Sequence, residues 1–156
     1  MAFKKLKSYL DDNNIKYVSI IHSQAYTAQE TAQSAHIPGK EMAKTVIVKS
    51  GDDLVMLVLP ASEKVDLDLV KGATRSDSVQ LASEQDFKDL FPNCETGAMP
   101  PFGNLYGMPV YVEESLSRNK NIAFNAGSHT ELIKLTYKDF NRLVKPKVTR
   151  ISTSYT

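Results

Sequence analysis

The sequence predicts an α+β domain, a mixed, largely antiparallel sheet flanked by helices. Three observations carry this. Strand-like and helix-like segments mix without the regular strand–helix alternation of a doubly wound fold. Two runs rich in Val, Ile and Leu, Ala43 to Lys49 and Leu54 to Pro60, enclose Ser50-Gly51-Asp52-Asp53 as a hairpin would. The 156 residues show no internal repeat and no long linker, and a single domain of that size buries roughly two-thirds of its unfolded surface.

Phe3, Leu6 and Leu10 recur at helical spacing, and Asp11-Asp12-Asn13-Asn14 stops that first helix. Tyr17 to Ile21 reads as a short strand. Thr27 and Glu30 make a capping box for a second helix to about His36, ended by Ile37-Pro38-Gly39. After the hairpin, Val65, Leu67, Leu69 and Val70 follow an acidic start at Glu63 and Asp66, with Gly72 as the stop. Ser83 and Asp86 cap a helix through Phe87, Leu90 and Phe91. Between Thr96 and Pro109, three Pro and three Gly in fourteen residues predict a shaped loop. Val110 to Val112, Asn121 to Asn125 and Glu131 to Leu135 read as strands, with Ala126-Gly127-Ser128 turning between the last two. Thr136 and Asp139 cap a final helix presenting Tyr137, Phe140, Leu143 and Val144 on one face, and Pro146 ends it. The domain is thus expected over residues 1–146, with 147–156 a loose C-terminal tail.

Composition excludes several classes. Nineteen Lys+Arg against eighteen Asp+Glu leave a formal charge of +1, without the basic excess of a protein that coats DNA or RNA non-specifically. The longest apolar run, Leu54 to Ala61, has eight residues, far short of a membrane span. The first twenty residues lack the apolar core of a signal peptide, so a soluble protein of the reducing cytoplasm is expected. One cysteine, Cys94, excludes an internal disulfide, and three scattered His argue against a zinc site. There is no P-loop, nucleophile elbow or His-Glu-x-x-His. No metal or cofactor is expected.

Three features could carry chemistry. Lys44 shares a strand face with Val46 and Val48, while Thr45, Ile47 and Lys49 take the other. A lysine among core valines either snorkels to water or meets an anion. Gly97-Ala98-Met99-Pro100-Pro101-Phe102-Gly103 is either a packed turn or a loop whose amides converge on a bound oxygen. In Asn125-Ala126-Gly127-Ser128-His129, the histidine is either a structural hydrogen-bonder or lines a pocket. Cys94, after a helix stop, reads as a semi-buried spectator against a nucleophile. Charge is uneven: residues 134–150 hold six basic side chains against Asp139 alone. Lys138, Arg142 and Lys145, at i, i+4 and i+7, form a stripe that is either a solvated face or a phosphate-binding patch for a folded RNA end.

Taken together, Ala43-Lys44-Thr45-Val46-Ile47, Gly97 to Gly103 and Ile122-Ala123-Phe124-Asn125-Ala126-Gly127-Ser128-His129 resemble the YbaK family of aminoacyl-tRNA editing domains, which includes the editing insertion of bacterial prolyl-tRNA synthetases and its free-standing ProX-type relatives. The resemblance covers about residues 15 to 145. It implies the mixed, largely antiparallel fold already read, and hydrolysis of the ester joining a wrong amino acid to the tRNA 3′ end. The family lysine falls on Lys44, the Gly-x-x-x-Pro loop on Gly97 to Pro101, and the pocket histidine on His129; these are the implied catalytic residues. Thr45, Ala98, Met99, Pro100, Phe102, Gly127 and Ser128 are the implied substrate-binding set, with Lys138, Arg142 and Lys145 as candidate tRNA contacts.

No synthetase core or anticodon-binding domain accompanies these motifs, so action in trans is implied. The partner is the 3′ acceptor end of an aminoacyl-tRNA, with a synthetase as a further candidate; no membrane or DNA partner is implied. Alanine mischarged on tRNA-Pro is the leading substrate, because the Asn-Ala-Gly turn resembles ProX relatives and Ser/Thr-editing relatives more than YbaK itself. Seryl, threonyl and cysteinyl esters are the others. The alternative is a non-catalytic adaptor that docks tRNA or a synthetase.

Overall fold

The computed structural model describes residues 2–22, 29, 32–33, 35, 37–91 and 98–154. Helix α1 (Ala2–Asp12) buries Leu6 and Leu10 completely, as their spacing requires. Strand β1 (Val18–Ile21) follows. The hairpin forms as β2 (Met42–Ser50) and β3 (Asp53–Pro60), paired from Ser50↔Asp53 to Ala43↔Pro60. After β4 (Glu63–Val65), α2 (Leu67–Thr74) and β5 (Val79–Leu81), helix α3 (Glu84–Phe87) runs into a 3-10 turn, Lys88–Leu90. A second 3-10 turn, Gly103–Leu105, precedes β6 (Val110–Glu113) and α4 (Glu114–Ser117). Strands β7 (Asn121–Asn125) and β8 (Glu131–Thr136), helix α5 (Tyr137–Val144), β9 (Lys147–Thr149) and β10 (Ser152–Ser154) complete the order.

Eight strands form one mixed sheet, β1-β8-β7-β2-β3-β6-β9, with β5 also against β2; β4 and β10 pair separately. Three pairings are parallel, β2–β7, β3–β6 and β6–β9, and the other five are antiparallel. The predicted α+β class is the observed one. Period-two alternation splits the core across the sheet. One face carries Ala43, Ile47, Met56, Val58, Val112, Phe124, Ile133 and Leu135, covered by α1, α5 and the loop with Met99 and Phe102. The other carries Val48, Leu57 and Leu59 under Val70 of α2 and Ile151. Farther along that second face, Met42, Ala61, Ala123 and Leu132 pack on Ala32.

Local chemistry explains the boundaries. Asp66 caps α2 by accepting from the Asp68 and Leu69 amides at 3.0 and 3.2 Å. Glu63, expected in the lead-in to this helix, lies in β4 instead. Gly72 does not stop α2, which runs on to Thr74 and ends at Arg75 in the left-handed conformation, φ 56°. Burial of Val70 holds the helix through the glycine, whose cost is only about 1 kcal/mol. Ser83 and Asp86 form a reciprocal capping box, at 2.8 Å from the Ser83 amide and 3.3 Å from the Asp86 amide. The helix they cap is shorter than predicted, since tightening to 3-10 begins at Lys88. The Ser83 amide and hydroxyl, helped by Lys49, hold the Asp86 carboxyl below its ordinary range. That support is present above the usual carboxylate pKa and fades as pH falls through the lowered one. Thr136 caps α5 as expected, its hydroxyl oxygen accepting from the Asp139 amide at 3.2 Å. The Thr27–Glu30 capping box, His36 and Cys94 lie outside the described residues.

The expected loose tail is the main correction. Residues 147–154 form β9 and β10, and Ile151 is fully buried. A buried carboxylate holds them: Glu113 Oε1 accepts from the Ile151 and Ser152 amides, each at 2.8 Å, and lies 3.0 Å from Ser152 Oγ. Ser152 Oγ is also 2.9 Å from Glu63 Oε1. Ser115 joins the same pair, its amide donating to Glu113 Oε2 and its hydroxyl to Glu63 Oε2. Truncating Glu113 leaves two buried amides unpaired. Glu113→Ala is therefore expected to lower unfolding free energy by about 3 kcal/mol in urea titrations. A loss under about 1 kcal/mol would mean that apolar packing of Ile151 alone holds the segment.

Candidate functional site

On one flank β2 pairs with β3 along nearly its whole length. The other flank is divided. Strand β7 pairs in parallel at its start, Met42↔Ala123 and Ala43↔Phe124, and β5 pairs antiparallel at its end, Val48↔Leu81 to Ser50↔Val79. Between them no strand of the described residues pairs with 44–46. The backbone groups of odd-numbered β2 residues aim at this flank: Glu41 C=O accepts from the Ala123 amide at 2.9 Å, and Ile47 C=O from the Ala82 amide at 3.0 Å. By alternation the Thr45 amide and carbonyl face the gap.

Lys44 stands at the gap on the face of Val46 and Val48, as its parity predicts, and is half-buried. It lines a pocket of about 340 Å³ with Val46, Lys64, Val65, Leu67 and Leu81. The floor is apolar, and the charged side chains in the lining are both ammonium groups. Such a pocket suits an anion joined to an apolar or aromatic body. By alternation from the Met42↔Ala123 pair, Asn125 falls on the same sheet face as Lys44. Asn125 is 7% exposed, and its Oδ1 is enclosed with no hydrogen-bond partner among the described residues.

The other two motifs meet at the end of β7. The Gly127 amide donates to the Ala98 carbonyl at 2.9 Å, clipping the turn to the loop. Gly127 sits at φ 104°, where a side chain would be strained. Ala98, Met99, Pro100 and Pro101 are buried, and His129 is 5% exposed. Ser128 Oγ accepts from the Thr130 amide at 3.4 Å and so shapes the turn. Gly103 closes the loop, where a Cβ would come within 2.6 Å of Val110 Cγ2 and 2.9 Å of the Met108 carbonyl.

Not every predicted residue joins this group. Gly97 lies outside the described residues. Phe102 is fully buried among Tyr9, Phe124 and Phe140, with ring centroids 6.2, 5.5 and 5.4 Å away, so it anchors the loop. The Thr45 side chain points to the opposite face from Lys44. Pro100 and Pro101 carry no N–H, which leaves Ala98 and Met99 as the amide donors among the described residues of Gly97 to Pro101. The basic stripe is broken: Lys145 is the left-handed cap after α5, φ 52°, and Arg142 pairs with Asp139 at 3.4 Å. Helix α5 also covers the sheet face opposite to Lys44. Lys64 and Asn125 were not singled out from sequence. The only sequence signal for Asn125 was its place in the motif before His129, and Lys64 had none. Among the described residues no three His, Cys, Asp or Glu side chains gather as a metal site requires.

The model of the aminoacyl-tRNA editing domain family matches residues 22–143. No curated protein matches the chain. Several solved structures share its fold. One, of a hypothetical protein, superposes with a TM-score of 0.85 at 18% identity over 96% of this chain and 99% of its own. Another, described as a candidate trans-editing enzyme for prolyl-tRNA synthetase, gives 0.83 at 17% identity over 98% of each chain. A third, a candidate signal transduction protein from Marinobacter aquaeolei VT8, gives 0.74 at 14% identity, with 96% of this chain matching 30% of that one. The family match runs from the end of β1 into α5 and takes in Lys44, the buried loop and the turn clipped to it, so the chain belongs to the aminoacyl-tRNA editing domain family.

Proposed function

We propose that this editing domain is a trans-acting deacylase that hydrolyses the ester of a mischarged tRNA, with alanine on tRNA-Pro as the leading substrate. The observation that carries the proposal is Lys44, a half-buried cation on an apolar face where no strand of the described residues pairs with that flank of β2. Support for the substrate comes from the Asn-Ala-Gly turn and from the fold shared with the candidate trans-editing enzyme. Seryl, threonyl and cysteinyl esters are the competing substrates.

An aminoacyl ester is already activated, so hydrolysis needs positioning and charge stabilisation more than a protein nucleophile. Water attacks the carbonyl carbon with help from the substrate's own free ribose hydroxyl, negative charge gathers on the carbonyl oxygen, and the ester C–O bond breaks. The ribose oxygen leaves with a proton, and the free amino acid is released. The Lys44 ammonium binds the terminal phosphate or the developing oxyanion. The Ala98 and Met99 amides, with Gly97, hold the aminoacyl group, and Pro100 and Pro101 keep that loop rigid. Thr45 contributes its backbone groups at the gap. His129 with Gly127 and Ser128 forms the floor that limits side-chain size, a second sieve after the synthetase. Lys64, on the same pocket, is the nearer phosphate contact; Lys138, Arg142 and Lys145 on the far layer are secondary.

The proposal is tested by deacylation of Ala-, Ser-, Thr- and Cys-charged tRNA, with cognate Pro-tRNA as control. Lys44→Ala is expected to keep its melting transition and to lose about 10²–10³-fold in kcat/KM, the usual cost of removing a group that stabilises an oxyanion. Normal turnover in that variant would overturn the role of Lys44. Binding of tRNA without turnover of any ester by wild type would favour an adaptor. Lys64→Glu is expected to raise KM and flatten its salt dependence more than the Lys138→Glu/Arg142→Glu double variant. The reverse order would move the acceptor stem to the α5 side.

A further inference from the structure

We infer that Lys16 and Lys134 form a second anion site, which binds a backbone phosphate of the tRNA a few nucleotides in from its aminoacylated end. The inference rests on the editing reading and deepens it.

A pocket of about 250 Å³ opens where β1 begins and β8 ends, and Lys16, Tyr17, Asn121, Lys134 and Thr136 contribute to its lining. The charged side chains in that lining are both ammonium groups. Among the described residues the one carboxylate bonded to a lining side chain is Asp11, which accepts from the Tyr17 hydroxyl at 3.1 Å. Neither Lys16 nor Lys134 makes an ion pair or a side-chain hydrogen bond among those residues. The opposite face of the same strands is balanced differently. There Lys7 lies 3.8 Å from Glu131, which also accepts from the Ser19 hydroxyl at 2.7 Å.

Both lysines stand on fixed backbone. Ile15 is buried and its amide donates to the Leu10 carbonyl at 3.0 Å, so Lys16 leaves a pinned corner. Lys134 lies within β8, paired with Val18 on one side and with Ala123 on the other. It shares the parity of Leu132, which is fully buried, and is itself half-buried. A lysine at such a position is costly unless its ammonium reaches water or an anion.

Register relates this pocket to the candidate site. Ala123 is paired in turn with Met42, and Lys44 follows two residues later on the same face. Lys134 and Lys44 therefore lie two strand spacings apart across the sheet and two residues apart along it, about 12 Å between Cα atoms. A few nucleotides of RNA span that distance. The donor set selects the anion. Ammonium groups act as point charges that suit any oxygen of a tetrahedral phosphate, and Asn121 adds a carboxamide. No guanidinium is present in the lining to fork onto a planar carboxylate.

The test uses acceptor-stem RNA hairpins ending in a non-hydrolysable 3′-alanylamido adenosine. Single phosphates in the unpaired end and the first stem pairs are replaced, one at a time, by uncharged methylphosphonates, and binding is measured over a salt series. One neutral linkage is expected to weaken wild-type binding about tenfold and to lower the salt slope by about one. The Lys16→Gln/Lys134→Gln double variant should lose the same factor on the unmodified hairpin. It should then be indifferent to that linkage while still responding to others, and its melting temperature should match wild type. Lys134→Arg, which keeps the charge, should retain the response. Equal sensitivity of wild type and the double variant at every linkage would overturn the inference and leave the editing reading intact. So would a wild type that binds the hairpins and ignores every substitution. Failure of wild type to bind any hairpin would overturn the editing reading itself.

Discussion

Each residue of a strand can offer its backbone to one neighbour on one side, and on one side of β2 two different strands divide the length. Strand β7 comes in parallel at residues 42–43, and β5 antiparallel at 48–50. Opposite directions and opposite ends leave a stretch that neither covers, and the candidate site is that stretch. The gap persists because the opposite flank is fully paired with β3 and because buried clusters lie on both faces of the sheet.

The same geometry sets the electrostatics. Lys44 emerges where Val46, Val65, Leu67 and Leu81 exclude water from one side and no carboxylate contributes to the pocket lining. Nearby, Glu63 and Glu113 share Ser115 and Ser152 behind β4, and Asp66 caps α2. A positive pocket thus stands on a molecule of formal charge +1. Local arrangement, and not net charge, sets the sign of the pocket lining.

Much of the fold was legible because its signals are local. The β2–β3 hairpin, the Ser83–Asp86 capping box and the Thr136 cap are written within a few residues of one another. Parity also placed Lys44 on the valine face correctly. Strands β9 and β10 were not legible: each has three residues, and they are fixed by the Glu113 carboxylate almost forty positions away. The parallel pairing of β2 with β7 is equally remote, so the break in strand pairing beside Lys44 could not be read. The burial of Phe102 against three aromatic rings was not legible either, because a motif records which residues accompany a loop, not which way each ring turns. The stripe on α5 failed at Lys145, where a left-handed cap breaks the helical spacing.

The clasp at Glu113 also orders events in time. Lys64 and Val65, which form one wall of the Lys44 pocket, belong to β4, and the sheet partner of β4 is β10. A ribosome emits β2, the buried loop and the 126–129 turn before it emits Ser152 to Ser154. A nascent chain can therefore assemble most of the core while its pocket still lacks a supported wall. The site is completed only when the residues from Ile151 onward leave the exit tunnel and bind Glu113, so during synthesis the cation is exposed before the chamber around it closes.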